Sequence, residues 1–506
     1  MRDAYQVAAV RAAEHALMEV VPDGALMSRA AAGLASICAV LLRREPGYVY
    51  GARVVVLAGR GDNGGDALYA GARLARRGAA VTAIAAGSTV HPGGSAALRE
   101  AGGRVTDDPG DAAGLMDAAD LILDGLLGIG GRGGLREPFA GLAAQAGQAR
   151  QAGATVVAVD LPSGIDADTG AVDGAAVQAD VTVAFGTLKP GLLIDPGAGY
   201  AGTVELVDIG LGPYLKDGPH AAAPQQDDIR ELLPRPGADS DKYRRGVLGL
   251  LAGSDRFTGA VLLSAGGAVH GGAGMVRVVT ADVAAVLVRQ AWPEAVVTVH
   301  PDDPDWDLPG SVGRVQAWVA GPGMGTGDDA AARLTAILRT DLPVLVDADG
   351  LTILSQHQGL LPRSGSADRA PTLITPHAGE LARLLGTDPA SVEARRLEHA
   401  QRAADRLGVT VLLKGSTTVI ACPGHGPVLV NPTGTPWLAT AGSGDVLSGL
   451  SGALLAQGLT PAQAGLAGAY LHGLAGRLAA SPDGVGQAPI GASDLVRALP
   501  AAFRSL

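Results

Sequence analysis

The sequence is poor in the features that mark secreted, membrane-spanning or nucleic-acid-binding proteins. Cys38 and Cys422 are its only cysteines and form no Cys-x-x-Cys pair, which argues against a disulfide framework or a metal cluster. The formal net charge of -11 argues against a general binder of nucleic acid or of membrane surfaces. No signal-peptide pattern opens the chain, and no uninterrupted apolar run is long enough to cross a bilayer. We therefore expect a cytoplasmic protein with no nucleic-acid or membrane partner.

Aromatic residues are also scarce, at 3%, so alanine, valine and leucine must fill the cores. Hydrophobic residues still make up 47% of the 506 residues, which is enough for folded cores and predicts two domains at this length. The 75 glycines gather in short clusters after apolar runs, as they do in phosphate-binding loops. Through such loops an acidic protein can still bind an anionic ligand.

Apolar runs alternate with helical patterns in both halves of the chain, which is typical of parallel strands covered on both faces. The strands predicted in the first half are 54–58, 80–85, 121–124, 155–160, 181–185 and 203–207, after an amphipathic helical segment at about 5–45. The strands predicted in the second half are 247–252, 275–279, 317–320, 344–347, 373–375, 409–413 and 418–421. The predicted fold class is therefore α/β, with two three-layer αβα domains.

The stretch 211–236 interrupts this alternation. It contains Gly-Pro, Lys-Asp-Gly-Pro and Pro-Arg-Pro, with few periodic apolar residues. We therefore predict an N-terminal domain at 1–215, a linker at 216–226 and a C-terminal domain at 227–506. Ligand sites in open α/β sheets lie at the carboxyl ends of strands, where most of the motifs below fall.

In the second half, the segment Thr-Ala-Gly-Ser-Gly-Asp at 440–445 precedes three leucines that share one helical face. The glycine amides and the helix dipole favour negative charge at such a helix start. Asp445 itself is a poor phosphate ligand, so we expect it to accept a proton from a substrate hydroxyl as that oxygen attacks phosphorus. The alternative is a helix cap after a glycine turn.

Four further motifs follow predicted strands in this half. They are Lys-Gly-Ser-Thr-Thr at 414–418, Thr-Pro-His-Ala-Gly-Glu at 375–380, Gly-Pro-Gly-Met-Gly at 321–325 and Val-Asp-Ala-Asp-Gly at 346–350. The first suits a nucleotide's phosphates and the third allows close approach of a ligand to the backbone. Each motif also has a structural alternative: a polar turn, a capping histidine, a simple glycine loop or a capping carboxylate pair.

Taken together with Tyr-Arg-Arg-Gly at 243–246 and Thr-Gly-Ala at 258–260, these motifs resemble those of the ribokinase-like ADP-dependent NAD(P)H-hydrate dehydratases over about 227–506. Ser416 and Ser443 are mild departures from the family pattern. The resemblance implies a ribokinase-like sheet, with ADP held by Lys414, Gly415, Ser416, Thr417, Thr418 and Gly444. It implies that the hydrated nicotinamide faces Ala260, Gly323, Gly325, His377 and Asp445.

The chemistry that this resemblance implies is an elimination that passes through phosphorylation. A ring hydroxyl is a poor leaving group, and its phosphorylation, with Asp445 as base, makes it a good one. Loss of phosphate then restores the dihydronicotinamide, so that ADP yields AMP and phosphate. Mg²⁺ bound with ADP screens the charge that builds up during transfer.

In the first half, three predicted strands end in polar or glycine-rich loops, at 59–66, 124–134 and 160–166. The first loop is neither a P-loop nor a good dinucleotide fingerprint. Asn63, Asp124 and Ser163 are hard oxygen donors, which suit a hard cation. Asp160 ends an apolar strand, where partial burial can tune an acid or base. The alternative is that Asp124 and Asp160 only cap their loops.

The Asn-Gly-Gly-Asp, Asp-Leu-Pro-Ser-Gly-Ile-Asp and Phe-Gly-Thr-Leu-Lys-Pro-Gly motifs resemble those of NAD(P)H-hydrate epimerases over about 5–215. The resemblance implies a Rossmann-like sheet, K⁺ at Asn63, Asp124 and Ser163, and acid/base catalysis by Asp160. Lys189 either supports Asp160 or is a surface lysine. The implied substrate contacts are Asp62, Asn63, Gly64, Gly65, Asp66, Gly128, Ile129, Gly130, Gly131, Arg132, Gly133, Gly134 and Asp160. Asp62 stands where the family usually has Asn.

The two resemblances predict one repair protein. NADH hydrate and NADPH hydrate each form R and S epimers; the first domain would interconvert the epimers and the second would dehydrate the S form with ADP. The alternative is a vitamin or sugar kinase joined to a non-catalytic nucleotide-binding domain. We also expect a homo-oligomer.

Overall fold

A computed structural model describes residues 1–85, 87, 89–107, 112–301, 303, 306–361, 371–424 and 426–506. The chain divides into two compact units. The N-terminal unit is Arg2–Ala221, and the C-terminal unit is Ala222–Leu506 together with Met1.

The N-terminal unit contains a parallel sheet with helices on its faces, which confirms the predicted α/β class. Its strands are β1 (Arg2–Ala4), β2 (Arg53–Ala58), β3 (Ala80–Ala85), β4 (Arg104–Thr106), β5 (Leu121–Gly125), β6 (Thr155–Val159), β7 (Val181–Phe185) and β8 (Thr203–Val207). Its helices are α1 (Val7–Met18), α2 (Ala25–Arg44), α3 (Asp62–Ala75), α4 (Pro92–Glu100), α5 (Ala112–Asp117), α6 (Phe139–Gln151) and α7 (Gly197–Ala201). The main sheet has the order β4-β3-β2-β5-β6-β7-β8.

Three details of this unit differ from the sequence prediction. The helical segment at 5–45 is two helices, because Pro22 and Gly24, which has a φ of 74°, interrupt it. The short strand β4 lies at the sheet edge and is partly exposed, so it lacks a strong apolar run. Asp160 does not end a strand: β6 stops at Val159, and Asp160 has a φ of 64°.

Helix α2 is, among the described residues, the one helix long and apolar enough to cross a membrane by length and composition alone. That test is weak evidence, because a core helix of a soluble protein also passes it. One face of α2, which includes Leu34, Cys38 and Leu42, is buried in the core of the N-terminal unit.

The C-terminal unit is also α/β. Its strands are β9 (Ala221–Ala223), β10 (Val247–Leu251), β11 (Met275–Thr280), β12 (Val296–Val299), β13 (Ala317–Ala320), β14 (Val344–Val346), β15 (Thr372–Ile374), β16 (Thr410–Leu413), β17 (Val419–Ala421) and β18 (Val428–Val430). They follow the order β9-β18-β17-β16-β15-β14-β13-β10-β11-β12. The pairs from β12 to β16 are parallel, and β16, β17 and β18 pair antiparallel.

The helices of this unit are α8 (Gln226–Leu232), α9 (Thr258–His270), α10 (Asp282–Ala291), α11 (Leu308–Val312), α12 (Asp328–Leu338), α13 (Asp349–Gln356), α14 (Ala378–Leu385), α15 (Pro389–Ala394), α16 (Arg396–Leu407), α17 (Ser443–Ala456), α18 (Pro461–Ala480) and α19 (Ala492–Arg504). The segment predicted as a linker, 216–226, contains β9, whose three alanines are buried, and the first residue of α8. Three small residues carry no periodic apolar signal, which is why the sequence did not predict this strand.

Helices α9 and α17 pack closely because glycines stand where they cross. A Cβ added at Gly449 of α17 would lie 1.9 Å from the backbone oxygen of Ser264 on α9. A Cβ added at Gly267 of α9 would lie 2.3 Å from the backbone oxygen of Val446. Helix α17 begins at the predicted phosphate motif and α9 carries Ala260, so this packing fixes the spacing between two parts of the predicted site.

We predict that Gly449→Ala destabilises the C-terminal unit by about 2 kcal/mol or more, because its Cβ meets backbone that must move. Gly259→Ala, on α9, is the matched control: its Cβ meets nothing within 4 Å, so little change is expected. All four tryptophans (Trp292, Trp306, Trp318 and Trp437) lie in this unit, so tryptophan fluorescence during urea unfolding reports on it alone. Equal unfolding midpoints for the two variants would contradict the prediction.

Candidate active sites

A buried ion pair joins two strand ends in the C-terminal unit. Asp347 follows β14 and Lys414 follows β16, and these strands flank β15. The Lys414 Nζ lies 2.6 Å from the Asp347 Oδ1, and the Ser448 hydroxyl donates to the Oδ2 at 2.6 Å. Asp347 is only 1% exposed, so both of its oxygens depend on these partners. Asp347 therefore ties Lys414 to α17, which carries Ser448.

Asp445 lies in the first turn of α17, beside this ion pair. Burial and the neighbouring carboxylate of Asp347 raise the pKa of Asp445 to about 7, while Lys414 acts to lower it. A carboxylate whose pKa lies near neutral pH can both accept and release a proton under ordinary conditions. The site thus offers a base at the helix start where the sequence predicted one.

The glycine before Asp445 makes room for the lysine. A Cβ added at Gly444 would lie 3.3 Å from the Lys414 Nζ. Burial alone would lower the pKa of Lys414, but the carboxylates of Asp347 and Glu380 more than offset it and raise the pKa. Lys414 therefore stays charged next to the amides at the start of α17, a combination that suits a phosphate group.

Arg396 of α16 supports the turn that contains Lys414–Thr418, and the sequence analysis did not identify it. Its guanidinium donates to the backbone oxygens of Leu413 at 3.2 Å, Lys414 at 2.8 Å and Thr417 at 3.1 Å. It also pairs with Glu393 and is 2% exposed. A Cβ at Gly415 would clash with this guanidinium, which explains the glycine there.

His377 caps helix α14. Its Nδ1 accepts hydrogen bonds from the backbone amides of Gly379 at 3.0 Å and Glu380 at 3.4 Å, and its own amide donates to the Glu380 carboxylate at 2.8 Å. Its side chain is 58% exposed, and its backbone lies beside Lys414. The capping alternative is thus realised, and the predicted contact with substrate remains a prediction.

The predicted residues Ala260, Gly323 and Gly325 lie close together. A Cβ at Gly323, whose φ is 61°, would lie 2.9 Å from the Cβ of Ala260. The amide of Gly325 donates to the Asp349 carboxylate at 2.9 Å. Because Asp349 also raises the pKa of Asp445, this loop and the catalytic candidate face the same region.

His472 of α18 was not identified from the sequence either. Burial lowers its pKa to about 4, so the imidazole is neutral at pH 7. Its Nε2 lies 2.9 Å from the backbone oxygen of Ser443, which it can reach as a donor. This hydrogen bond holds the first residue of α17 in place.

The N-terminal unit has a cavity of about 1270 Å³ at the carboxyl ends of its strands. Eight of the predicted substrate residues line it: Asp62, Asn63, Asp66, Gly128, Ile129, Gly130, Gly131 and Asp160. The lining omits five others: Gly64, Gly65, Arg132, Gly133 and Gly134. Gly64 instead packs on the loop, since its Cβ would lie 2.2 Å from the backbone oxygen of Gly59.

Asp160, in the wall of this cavity, forms a buried ion pair with Lys189 behind it. The Asp160 Oδ1 also accepts a hydrogen bond from the amide of Phe185 at 2.9 Å, and the Lys189 Nζ donates to the Phe185 backbone oxygen at 3.1 Å. Lys189 is 1% exposed, so it is not a surface lysine. The pair holds Asp160 as an oriented carboxylate at the cavity wall.

Further carboxylates surround Asp160. Burial, and then the charges of Asp160, Asp62 and Glu14, raise the pKa of Asp66 well above its usual value. Burial likewise raises the pKa of Glu14, against the effect of Lys189. Glu14 comes from α1, which the sequence predicted as a helix without a functional role.

The predicted K⁺ donors fit a monovalent cation in charge and chemistry. The buried Asp124 accepts hydrogen bonds from the Ser163 hydroxyl at 2.6 Å and the Ser163 amide at 2.8 Å. Burial raises the pKa of Asp124 to about 6 despite these hydrogen bonds. Asn63 approaches the loop after Asp124, since a Cβ at Gly128 would lie 3.2 Å from its Oδ1. The described part of the chain has no cluster of three His, Cys, Asp or Glu side chains that could hold a metal.

Family models match both units. A model for NAD(P)H-hydrate dehydratases matches residues 248–498, and a model for the N-terminus of YjeF-related proteins matches residues 23–191. The chain is 46% identical to the bifunctional NAD(P)H-hydrate repair enzyme Nnr of Mycobacterium leprae, over 100% of both chains. It is 48% identical to the enzyme of that name from Mycobacterium tuberculosis, over 92% of this chain and 91% of the other.

The C-terminal unit is also similar to a solved structure. The ADP/ATP-dependent NAD(P)H-hydrate dehydratase of Bacillus subtilis, co-crystallised with ATP and Mg²⁺, is 31% identical with a TM-score of 0.50. The match covers 56% of this chain and 97% of that chain. The ribokinase-like fold predicted for this half is thereby confirmed.

We predict that Asp445→Asn stabilises the C-terminal unit at pH 8 but not at pH 4. The pKa of Asp445 is raised in the folded state, so ionisation costs stability as pH rises from its unfolded value near 4 to about 7. The uncharged side chain of the variant removes that cost at pH 8. At pH 4 the stability of the C-terminal unit stays the same. Tryptophan fluorescence during urea unfolding at the two pH values measures the difference, and an equal effect at both would refute the pKa assignment.

Proposed function

The chain belongs to the family of bifunctional NAD(P)H-hydrate repair enzymes, and we propose how its residues carry out the two reactions. It repairs hydrated nicotinamide cofactors: the N-terminal unit is an NAD(P)H-hydrate epimerase and the C-terminal unit an NAD(P)H-hydrate dehydratase. Asp445 and Asp160 are the proposed catalytic residues of the two units. A cytoplasmic location is part of the proposal.

The dehydratase proposal rests chiefly on Asp445, a carboxyl group with a pKa of about 7 beside Lys414 at a helix start. Asp445 takes the proton of the ring hydroxyl, whose oxygen attacks the terminal phosphorus of ADP and releases AMP. Lys414, Gly444 and the 414–418 turn hold the phosphates. The phosphate then leaves with the ring oxygen, a ring proton is lost, and the dihydronicotinamide is restored.

Mg²⁺ would arrive with the nucleotide. It commonly uses one or two carboxylates together with substrate phosphates. Asp349 is the carboxylate that we assign to it, because its Oδ2 accepts the hydrogen bond from the Gly325 amide, whereas Asp347 is bound on both oxygens. Bound there, Mg²⁺ would screen the phosphate charge.

The epimerase proposal rests on Asp160, which Lys189 and the Phe185 amide hold at the wall of the cavity. A carboxylate there can remove the proton of the hydroxyl on the hydrated carbon as the bond from that carbon to the ring nitrogen breaks. The oxygen becomes that of an aldehyde, and the nitrogen keeps the electron pair and takes up the proton. When the nitrogen adds back to the other face of the aldehyde, the carboxylate takes the proton from the nitrogen and returns it to the oxygen. Asn63, Asp124 and Ser163 are the proposed K⁺ ligands, because a bound cation would offset the burial that raises the pKa of Asp124.

We predict that the dehydration rate rises with pH through about 7, because Asp445 must be ionised to accept a proton. Asp347→Asn should move this rise to lower pH, since it removes a neighbouring negative charge and frees Lys414 to act on Asp445. The measurement is kcat for hydrated NADH with saturating ADP across the pH range. Asp445→Asn should lose at least about 100-fold; an unshifted profile in Asp347→Asn would contradict the coupling.

We predict that Asp160→Ala loses conversion of the R epimer but keeps dehydration of the S epimer, because the two reactions use different units. The full-length chain is incubated with resolved epimers and ADP, and the spontaneous rate of epimerisation is subtracted. Asp445→Asn is the complementary variant, because it should lose dehydration and still interconvert the epimers. Conversion of the R epimer at the wild-type rate in Asp160→Ala would remove the catalytic role of that residue.

The same assay separates repair from a kinase that stops at the phosphorylated product. Repair returns the dihydronicotinamide absorbance and releases AMP and phosphate in equal amounts. A stable phosphoester in place of free phosphate would favour the kinase.

A further inference from the structure

One face of helix α3 lines the N-terminal cavity over most of the helix. Asn63, Asp66, Tyr69, Arg73 and Arg76 all contribute to the lining. Their spacing of three or four residues places them on one helical face. At 1.5 Å per residue, about 15 Å of helix axis separate Asp66 from Arg76. The cavity is therefore long in the direction of this helix.

The end of the cavity near Asp160 is mainly acidic. After burial, the charges of Asp160 and Asp62 raise the pKa values of both Asp66 and Glu14, so these four side chains lie close together. Arg11, beside Gly130, and Arg60, two residues before Asp62, also line the cavity, yet the four carboxyl groups at this end outnumber them. Carboxyl groups of this kind offer no positive charge to a phosphate and can hydrogen-bond an uncharged ring.

The middle of the face carries an aromatic side chain. Tyr69 and His91 pack edge to face, with ring centroids 5.8 Å apart. The His91 Nδ1 accepts a hydrogen bond from the amide of Gly94 at 3.1 Å, which fixes the ring at the start of α4. In a chain with 3% aromatic residues, this pair offers a stacking surface inside the cavity.

The far end of the face is basic. Arg73 is half-buried and Arg76 is exposed, and neither has an ion pair among the described residues. Arg73 donates a long hydrogen bond, of 3.3 Å, to the Ser28 hydroxyl. Two adjacent guanidinium groups without carboxylate partners suit a phosphate ligand.

We infer that this cavity binds the whole dinucleotide, with the hydrated ring at Asp160 and a phosphate of the adenosine half at Arg73 and Arg76. The inference rests on the proposed epimerase function. The cavity volume of about 1270 Å³ exceeds the roughly 300–1,000 Å³ of common small-ligand pockets, as a dinucleotide requires. Opposite charge at the two ends gives the ligand one orientation.

The test compares three substrates of the full-length protein: hydrated NADPH, hydrated NADH and hydrated nicotinamide mononucleotide in its reduced form. Arg73→Gln/Arg76→Gln should raise the epimerisation KM at least about tenfold for the dinucleotides and leave the mononucleotide unchanged. A KM that rises for hydrated NADPH alone assigns the arginines to the 2′-phosphate. A KM that rises equally for both dinucleotides assigns them to the pyrophosphate. Arg77→Gln is the matched control, because Arg77 is exposed and outside the lining.

The inference would be overturned if the double variant had the same KM values as Arg77→Gln. It would also be overturned if the double variant raised the KM for the mononucleotide as much as for the dinucleotides. If the wild-type protein does not accelerate epimerisation, the proposed function fails first. Equilibrium dialysis of hydrated NADPH, with AMP in place of ADP at the other nucleotide site so that no dehydration occurs, then tests the subsite without catalysis. A lower affinity of the double variant for hydrated NADPH supports the phosphate contact, and an unchanged affinity refutes it.

Discussion

The ion pair between Lys414 and Asp347 is the constraint on which the C-terminal site depends. The two residues are far apart in sequence, yet each stands at the end of a parallel strand, and the Ser448 hydroxyl links the pair to α17. Because Asp347 is buried, removal of either partner leaves an unpaired group inside the protein. The pair therefore fixes the lysine that we propose binds phosphate, and its charges act, together with burial, on the pKa of Asp445.

The N-terminal unit uses a similar arrangement for different chemistry. Asp160 follows a strand and is held by a buried lysine, Lys189, as Asp347 is held by Lys414. The difference lies in which carboxylate remains available. In the C-terminal unit the paired Asp347 tunes a second carboxylate, whereas in the N-terminal unit the paired Asp160 itself faces the cavity. One structural device thus supports a positioning role in one unit and a proposed catalytic role in the other.

Sequence patterns predicted the sheets and the strand-end loops because apolar runs stop abruptly at polar clusters, as β2 and β16 do. They could not predict which distant groups meet. Arg396 lies in a strongly polar helix and looks like a surface residue, yet it is buried and supports the Lys414 turn. His472 was equally hidden, and the sequence left Lys189 open between a support for Asp160 and a surface lysine, because burial of a charged or titratable group depends on elements far away in sequence. The loops 59–66 and 124–134 were correctly placed near the cavity, but packing decided which of their glycines line it.

The backbone of Asp160 has a further consequence for how this protein can change. Its φ of 64° lies in the left-handed region, which Asn and Gly tolerate and most other residues do not. Glutamate would keep the charge but strain the turn, while Asn or Gly would keep the turn but lose the charge. Single substitutions that keep this backbone conformation are therefore those that remove the carboxylate, and they leave the Lys189 ammonium buried without its ion-pair partner. A lineage that lost this carboxylate would lose stability in the N-terminal unit at the same step.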